Sequence, residues 1–106
     1  MQRLGKIAVV GDKDSVELFS TAGADVFAAR TEFEASDALK KTVKENYAVV
    51  FVTEDVAALI PKQIEELKTV PFPVVIPIPS ASGSNGFGME SIARNVEKAV
   101  GIRDIL

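Results

Sequence analysis

Three stretches of this chain carry residue types that could do chemistry. The first is Gly11-Asp12-Lys13-Asp14, where two carboxylates follow an apolar run. Paired carboxylates at the end of a buried strand could hold a hard divalent cation such as Mg²⁺. The second is Ser80 to Gly88, SASGSNGFG, a loop of small residues ahead of a helical pattern. Small residues let backbone N–H groups approach an anion, and a helix N-terminus favours one. The third is Glu54-Asp55, adjacent acids that could work as acid and base.

Each stretch also has an ordinary structural use. Asp14 can cap a helix, with Glu17 reaching back and Asp12 left exposed. A cation site of the response-regulator type needs an Asp ending the third strand and a Lys after a later one. Thr53 stands at the first place, and no Lys follows Pro79. The small-residue loop lacks the Gly-Lys-Ser/Thr ending of a P-loop and the strand-proximal G-x-G-x-x-G. A flexible connection that binds no nucleotide tightly is the simpler expectation. Glu54 and Asp55 are neighbours on a helix and do not face each other, so the helix dipole explains them better than catalysis.

Absences narrow the field further. The chain has no Cys and no His. Thiolate nucleophiles, disulfides, Cys/His zinc sites and the Ser-His-Asp triad are therefore excluded. No catalytic, cofactor-binding or metal residues are assigned, and no cofactor is expected. The 12 basic and 15 acidic residues give a net charge of −3. That balance disfavours nucleic acid and anionic membrane surfaces as partners. Without Trp and with Tyr47 as the one tyrosine, a stacking platform for bases is also disfavoured. No run is long enough to insert in a membrane, and a cytoplasmic protein is expected.

The elements that must position these residues alternate. The 106 residues suit one domain, and the 47% apolar share suffices for a core. KIAVV (6–10), DVFAA (25–29), YAVVFV (47–52) and PVVIPI (73–78) read as strands. The unbroken apolar runs of the first, third and fourth suggest burial on both faces. Between them lie helical patterns. The first has the stripe Val16, Phe19, Ala22 and stops at Gly23. The second is capped by Thr31 and Glu34 and turns Ala35, Ala38, Leu39 and Val43 inward. The third is capped by Thr53, with Val56, Leu59, Ile60, Ile64 and Leu67 inward, and is broken or restarted at Pro61. The fourth carries Met89, Ile92, Ala93, Val96 and Val100 and closes at Gly101. The order β-α-β-α-β-α-β-α predicts a small three-layer α/β sandwich of Rossmann-like type. Its four-stranded parallel sheet has helices on both faces. Residues 1–101 form the single domain and 102–106 a C-terminal tail. Ile102, Ile105 and Leu106 are large apolar residues at a chain end. They either fold back on the sheet or pack on a partner.

Four stretches together resemble a known family. They are KIAVVGDKDSVELFSTAGADVF, YAVVFVTEDVAALIPKQIEEL, PVVIPIPSASG and MESIARNVEKAVGIRDIL. In this order, over nearly the whole chain, they resemble the F subunit of the V-type (A/V-type) ATP synthase/ATPase in its short prokaryotic form. Arg103 departs from the pattern, standing between the aliphatic Ile102 and the closing Asp-Ile-Leu. The resemblance implies a non-catalytic component of the central stalk, paired with the long coiled-coil D subunit. The stalk turns inside the catalytic A/B hexamer and couples ATP turnover to ion transport. Ile102, Arg103, Ile105 and Leu106, with Arg94 and Lys98 of the helix before them, are the residues expected at a partner interface. The alternative is a small receiver-like or anion/nucleotide-binding signalling module.

Overall fold

The computed structural model describes residues 6–81, 92–98, 100 and 101. Strand β1 is Lys6–Gly11, helix α1 Lys13–Glu17 and strand β2 Asp25–Ala28. Helix α2 is Glu32–Lys44, strand β3 Tyr47–Thr53 and helix α3 Glu54–Ala57. Helix α4 is Pro61–Leu67 and strand β4 Val74–Ile78. A last helix, α5, takes in the described residues 92–98 and 100–101.

The strands form one four-stranded sheet in the order β2-β1-β3-β4, and every pairing is parallel. Alternating side chains feed two apolar clusters. Ala8, Val10, Val50 and Val52 point to one face and meet Ala35, Ala38 and Leu39 of α2, Val56 of α3 and Ile60. Ile7, Val9 and Ile78 point to the other and meet Val16, Phe19 and Ala22 of the α1 region with Val96 and Val100 of α5. Helices therefore cover both faces, the three-layer arrangement that the alternation requires.

Local chemistry sets the boundaries. The Thr31 side chain accepts from Glu34 N–H at 3.1 Å, and the Glu34 carboxylate accepts from Arg30 N–H at 3.0 Å. The two ends of a capping box are thus satisfied, one residue further back than the standard form. Asn46 at φ 60° ends the α2 region, and Gly23 at φ 89° ends the α1 region. Gly23 is required twice: a Cβ there would also lie 2.8 Å from Val100 Cγ1. Pro61 opens α4 at its first position, where its missing N–H costs nothing.

The structure corrects five expectations. β4 is not buried on both faces: Val74 and Ile76 are 45% and 38% exposed. The strand order leaves it at the sheet edge, the position where Pro77 is tolerated. In α2 it is Thr42 that turns inward, its hydroxyl donating to Leu39 C=O at 2.6 Å, while Val43 is exposed. Satisfying the hydroxyl within the helix removes the cost of burying it. Leu59 is also exposed, because α3 ends at Ala57 and the chain turns before Pro61. The Thr53 side chain makes no cap bond at the start of α3. The cap of α1 is a different residue from the one expected, as described below. Met89, residues 82–88 of the small-residue loop and the tail residues Ile102, Arg103, Ile105 and Leu106 lie outside the described residues.

Candidate functional site

In an open parallel sheet the chain leaves β1 towards β2 on one side, while β3 lies on the other. Ligands of such folds enter at this reversal, beyond the carboxyl ends of the strands. Here the reversal falls between β1 and β3 and brings together Gly11, Asp12, Thr53 and Asp55.

Asp12 caps α1, and Asp14 is an exposed residue of its first turn. The reason is that β1 runs one residue further than its apolar run, through Gly11, so the helix begins at Lys13. One Asp12 oxygen accepts from Ser15 N–H at 3.1 Å and the other from Ser15 Oγ–H at 2.6 Å. Ser15 Oγ in turn accepts from Ala81 N–H at 2.8 Å. Ser15 is fully buried. A three-membered polar chain therefore ties the loop after β1, the first turn of α1 and the chain just after β4. The Asp-x-x-Ser spacing was legible in the sequence. The partner 66 positions away was not.

Burial alone would raise the Asp12 carboxyl. The hydrogen bonds from the Ser15 side chain and backbone, with a further contribution from the Asp55 carboxyl, outweigh it, and the Asp12 pKa is lowered. A carboxyl whose folded pKa lies below its unfolded one stabilises the fold above the unfolded value. That contribution is lost as pH falls through the folded value. Asp12→Ala should cost about 1–2 kcal/mol at pH 7, as for loss of a helix N-cap. The deficit relative to the native chain should shrink below about pH 4. Urea denaturation at pH 7 and pH 3 checks this; an equal deficit at both would mean that the charge of Asp12 is not what stabilises the cap.

Asp55 Oδ1 accepts from Val56 N–H at 2.9 Å, and Thr53 opens α3 without a side-chain cap bond. Its fully buried Oγ1 has no hydrogen-bond partner among the described residues. The Thr53 side chain packs instead against Gly11. Among the described residues no group of three acidic side chains converges as a metal site would require. Both Asp12 oxygens are engaged in capping, and the arrangement ties the loops together.

Arg94 and Lys98 are both exposed on α5. Arg94 joins Glu97, Ala93, Leu18, Thr21 and Ala22 around an open groove of about 270 Å³ between α5 and the end of the α1 region. At the opposite end of the sheet, Tyr47 Oη–H donates to Asp25 at 2.7 Å, and Lys6 lies 4.5 Å from the centre of the Tyr47 ring. Burial and then the Asp25 carboxylate push the Tyr47 hydroxyl well above its ordinary pKa, so it stays a donor. This pair clamps the starts of β2 and β3 on either side of β1.

Fold and site together define a small doubly wound α/β domain whose carboxyl-end loops are tied to one another by structural hydrogen bonds. The family model described as ATP synthase (F/14-kDa) subunit matches residues 7–96, and the chain belongs to that family. Its relatives include the F subunit of the V-type ATP synthase of Fusobacterium nucleatum, 46% identical over 95% of this chain and 96% of the relative. That of Clostridium botulinum is 50% identical over 92% and 94%. The F subunit of the A-type ATP synthase of Thermococcus gammatolerans is 35% identical over 92% and 95%. Among the described residues no helix is long and apolar enough to cross a membrane.

Proposed function

We propose that this rotary-ATPase component is a non-catalytic part of the central stalk. It pairs with the coiled-coil D subunit inside the catalytic A/B hexamer and lies on the cytoplasmic side of the membrane. The observation that carries the reading is similarity to V-type F subunits along almost the full length of both chains. The site chemistry supports it: Asp12, Ser15 and Asp55 are engaged in holding loops. Residues 1–101 act as one folded domain and 102–106 as a tail that adds contact area. Co-expression with the D subunit and gel filtration tests the pairing. Co-elution as a complex is expected, and separate elution would refute it.

Ile102, Arg103, Ile105 and Leu106, with Arg94 and Lys98, are the residues assigned to this contact. Burying three aliphatic side chains contributes roughly 1.5–3 kcal/mol each. Ordering the tail backbone offsets much of that, at about 1–2 kcal/mol per residue. A chain ending at Gly101 should therefore still fold and bind the D subunit about tenfold more weakly, ~1.4 kcal/mol. Titration calorimetry checks this. Equal affinity of the two forms would remove the tail from the interface.

A further inference from the structure

Alternation along the strands sets Val49 and Phe51 of β3 and Val74 and Ile76 of β4 on one side of the sheet. Val49 pairs with Val74 and Phe51 with Ile76, so the four make one apolar block across neighbouring strands. They share the face of Ile7, Val9 and Ile78. On that face α1 lies over β1 and β2. Ala93, Arg94 and Glu97 of α5 border the groove towards the α1 region. At about 100° per residue, Ile92, Asn95 and Lys98 form the other flank of α5, towards β3 and β4. Beyond that flank Val74 and Ile76 stay open, and Phe72, just before β4, is 68% exposed. The opposite face of the same strands is closed, for there Val75 joins Ile64 and Leu67 of α4 against the core.

We propose that this shelf seats an amphipathic helix of the D subunit, an inference that rests on the stalk function proposed for the chain. Strand β4 has 5 residues and is roughly 17 Å long, which about three turns of helix would cover. A strand added at the free edge is disfavoured, because Pro77 has no N–H to offer it. Lys98, assigned to the D contact, stands on the α5 flank of the shelf, so the two surfaces are continuous. Loss of the tail is expected to weaken that contact about tenfold, which leaves the larger part of the affinity to the folded domain.

The seated helix turns apolar side chains onto Val49, Phe51, Val74 and Ile76, and an acidic flank towards Lys98. Three turns alone cover less than the ~800 Å² per partner of a standard interface. The flank of α5 and the tail complete the contact.

Titration calorimetry of the full chain with the D subunit tests this. Val74→Glu and Ile76→Glu, each checked for a native circular dichroism spectrum, place a carboxylate in an apolar contact. Each should weaken binding at least about tenfold. Val43→Glu, on exposed α2 at the opposite face, should bind like the native chain. The chain has no Cys, so Ile76→Cys can carry a single environment-sensitive fluorophore. Its emission should shift to the blue when the D subunit is added, and that of the same label on Val43→Cys should not. Where a Glu variant loses the native spectrum, the label decides. No binding by the native chain would refute the stalk function itself, and the shelf with it. Binding that both Glu variants leave unchanged, with no shift at position 76, would overturn the shelf alone. So would a label already shielded in the free chain, which would mean that the chain's own residues fill the place.

Discussion

Phe19→Ala should lower the unfolding free energy by about 3–5 kcal/mol, the range for deleting a fully buried aromatic ring. Phe19 has no exposed surface and lies in the cluster that joins Ile7 and Val9 of β1 to Val96 and Val100 of α5. A domain of this size has roughly 5–15 kcal/mol in total. The variant should therefore unfold at a much lower urea midpoint with a similar slope. Amide exchange in α5 should speed up first, because Phe19 is part of the floor on which that helix rests. Phe19→Leu refills most of the volume and should recover more than half of the loss. A loss below about 1 kcal/mol for Phe19→Ala would mean that α5 is not held by this cluster.

The central strands were legible in the sequence because their burial is one-dimensional information. KIAVV and YAVVFV are continuous apolar runs, and they form β1 and β3 with core side chains on both faces. PVVIPI has the same appearance, yet β4 is an edge strand with alternate residues open to solvent. An apolar run reports a sheet, while strand order depends on contacts far apart in the chain. Pro77 was the available signal, since a strand lacking an N–H donor belongs at an edge. The helix cap failed for a related reason. Asp12 and Asp14 are both suitable caps, and what chose between them was Gly11, held in β1 by pairing with Ala28. Ser15 reads as an ordinary polar residue of a short helix. Its partnership with Ala81 exists because β4 and α1 meet at the same end of the sheet. The family signal runs through all of these stretches at once and so was visible where the individual contacts were not.

Gly11→Ala should destabilise the domain by about 1–3 kcal/mol, and Thr53→Ala should relieve most of that cost. A Cβ on Gly11 would lie 2.5 Å from Thr53 Cγ2 and 2.7 Å from Thr53 Oγ1. Both strands are central, and Thr53 is fully buried, so neither side can retreat without shifting the β1–β3 ladder. Conformation is not the obstacle, because Gly11 does not have a positive φ and alanine could adopt its backbone. The obstacle is space alone. Thr53→Ala by itself deletes a buried methyl, which costs about 1 kcal/mol, and a buried hydroxyl without a partner among the described residues, which returns some of it. The single variant should therefore be close to neutral. In the double variant the new methyl of Ala at 11 occupies the space that Thr53 vacates. Its stability should lie within about 1 kcal/mol of the native chain, a coupling far larger than the roughly 0.3–0.5 kcal/mol seen between independent sites. Urea unfolding of the four proteins closes the cycle. If the two substitutions simply add, Thr53 is not what excludes a side chain from position 11, and the close approach of β1 and β3 at the carboxyl end of the sheet has another cause.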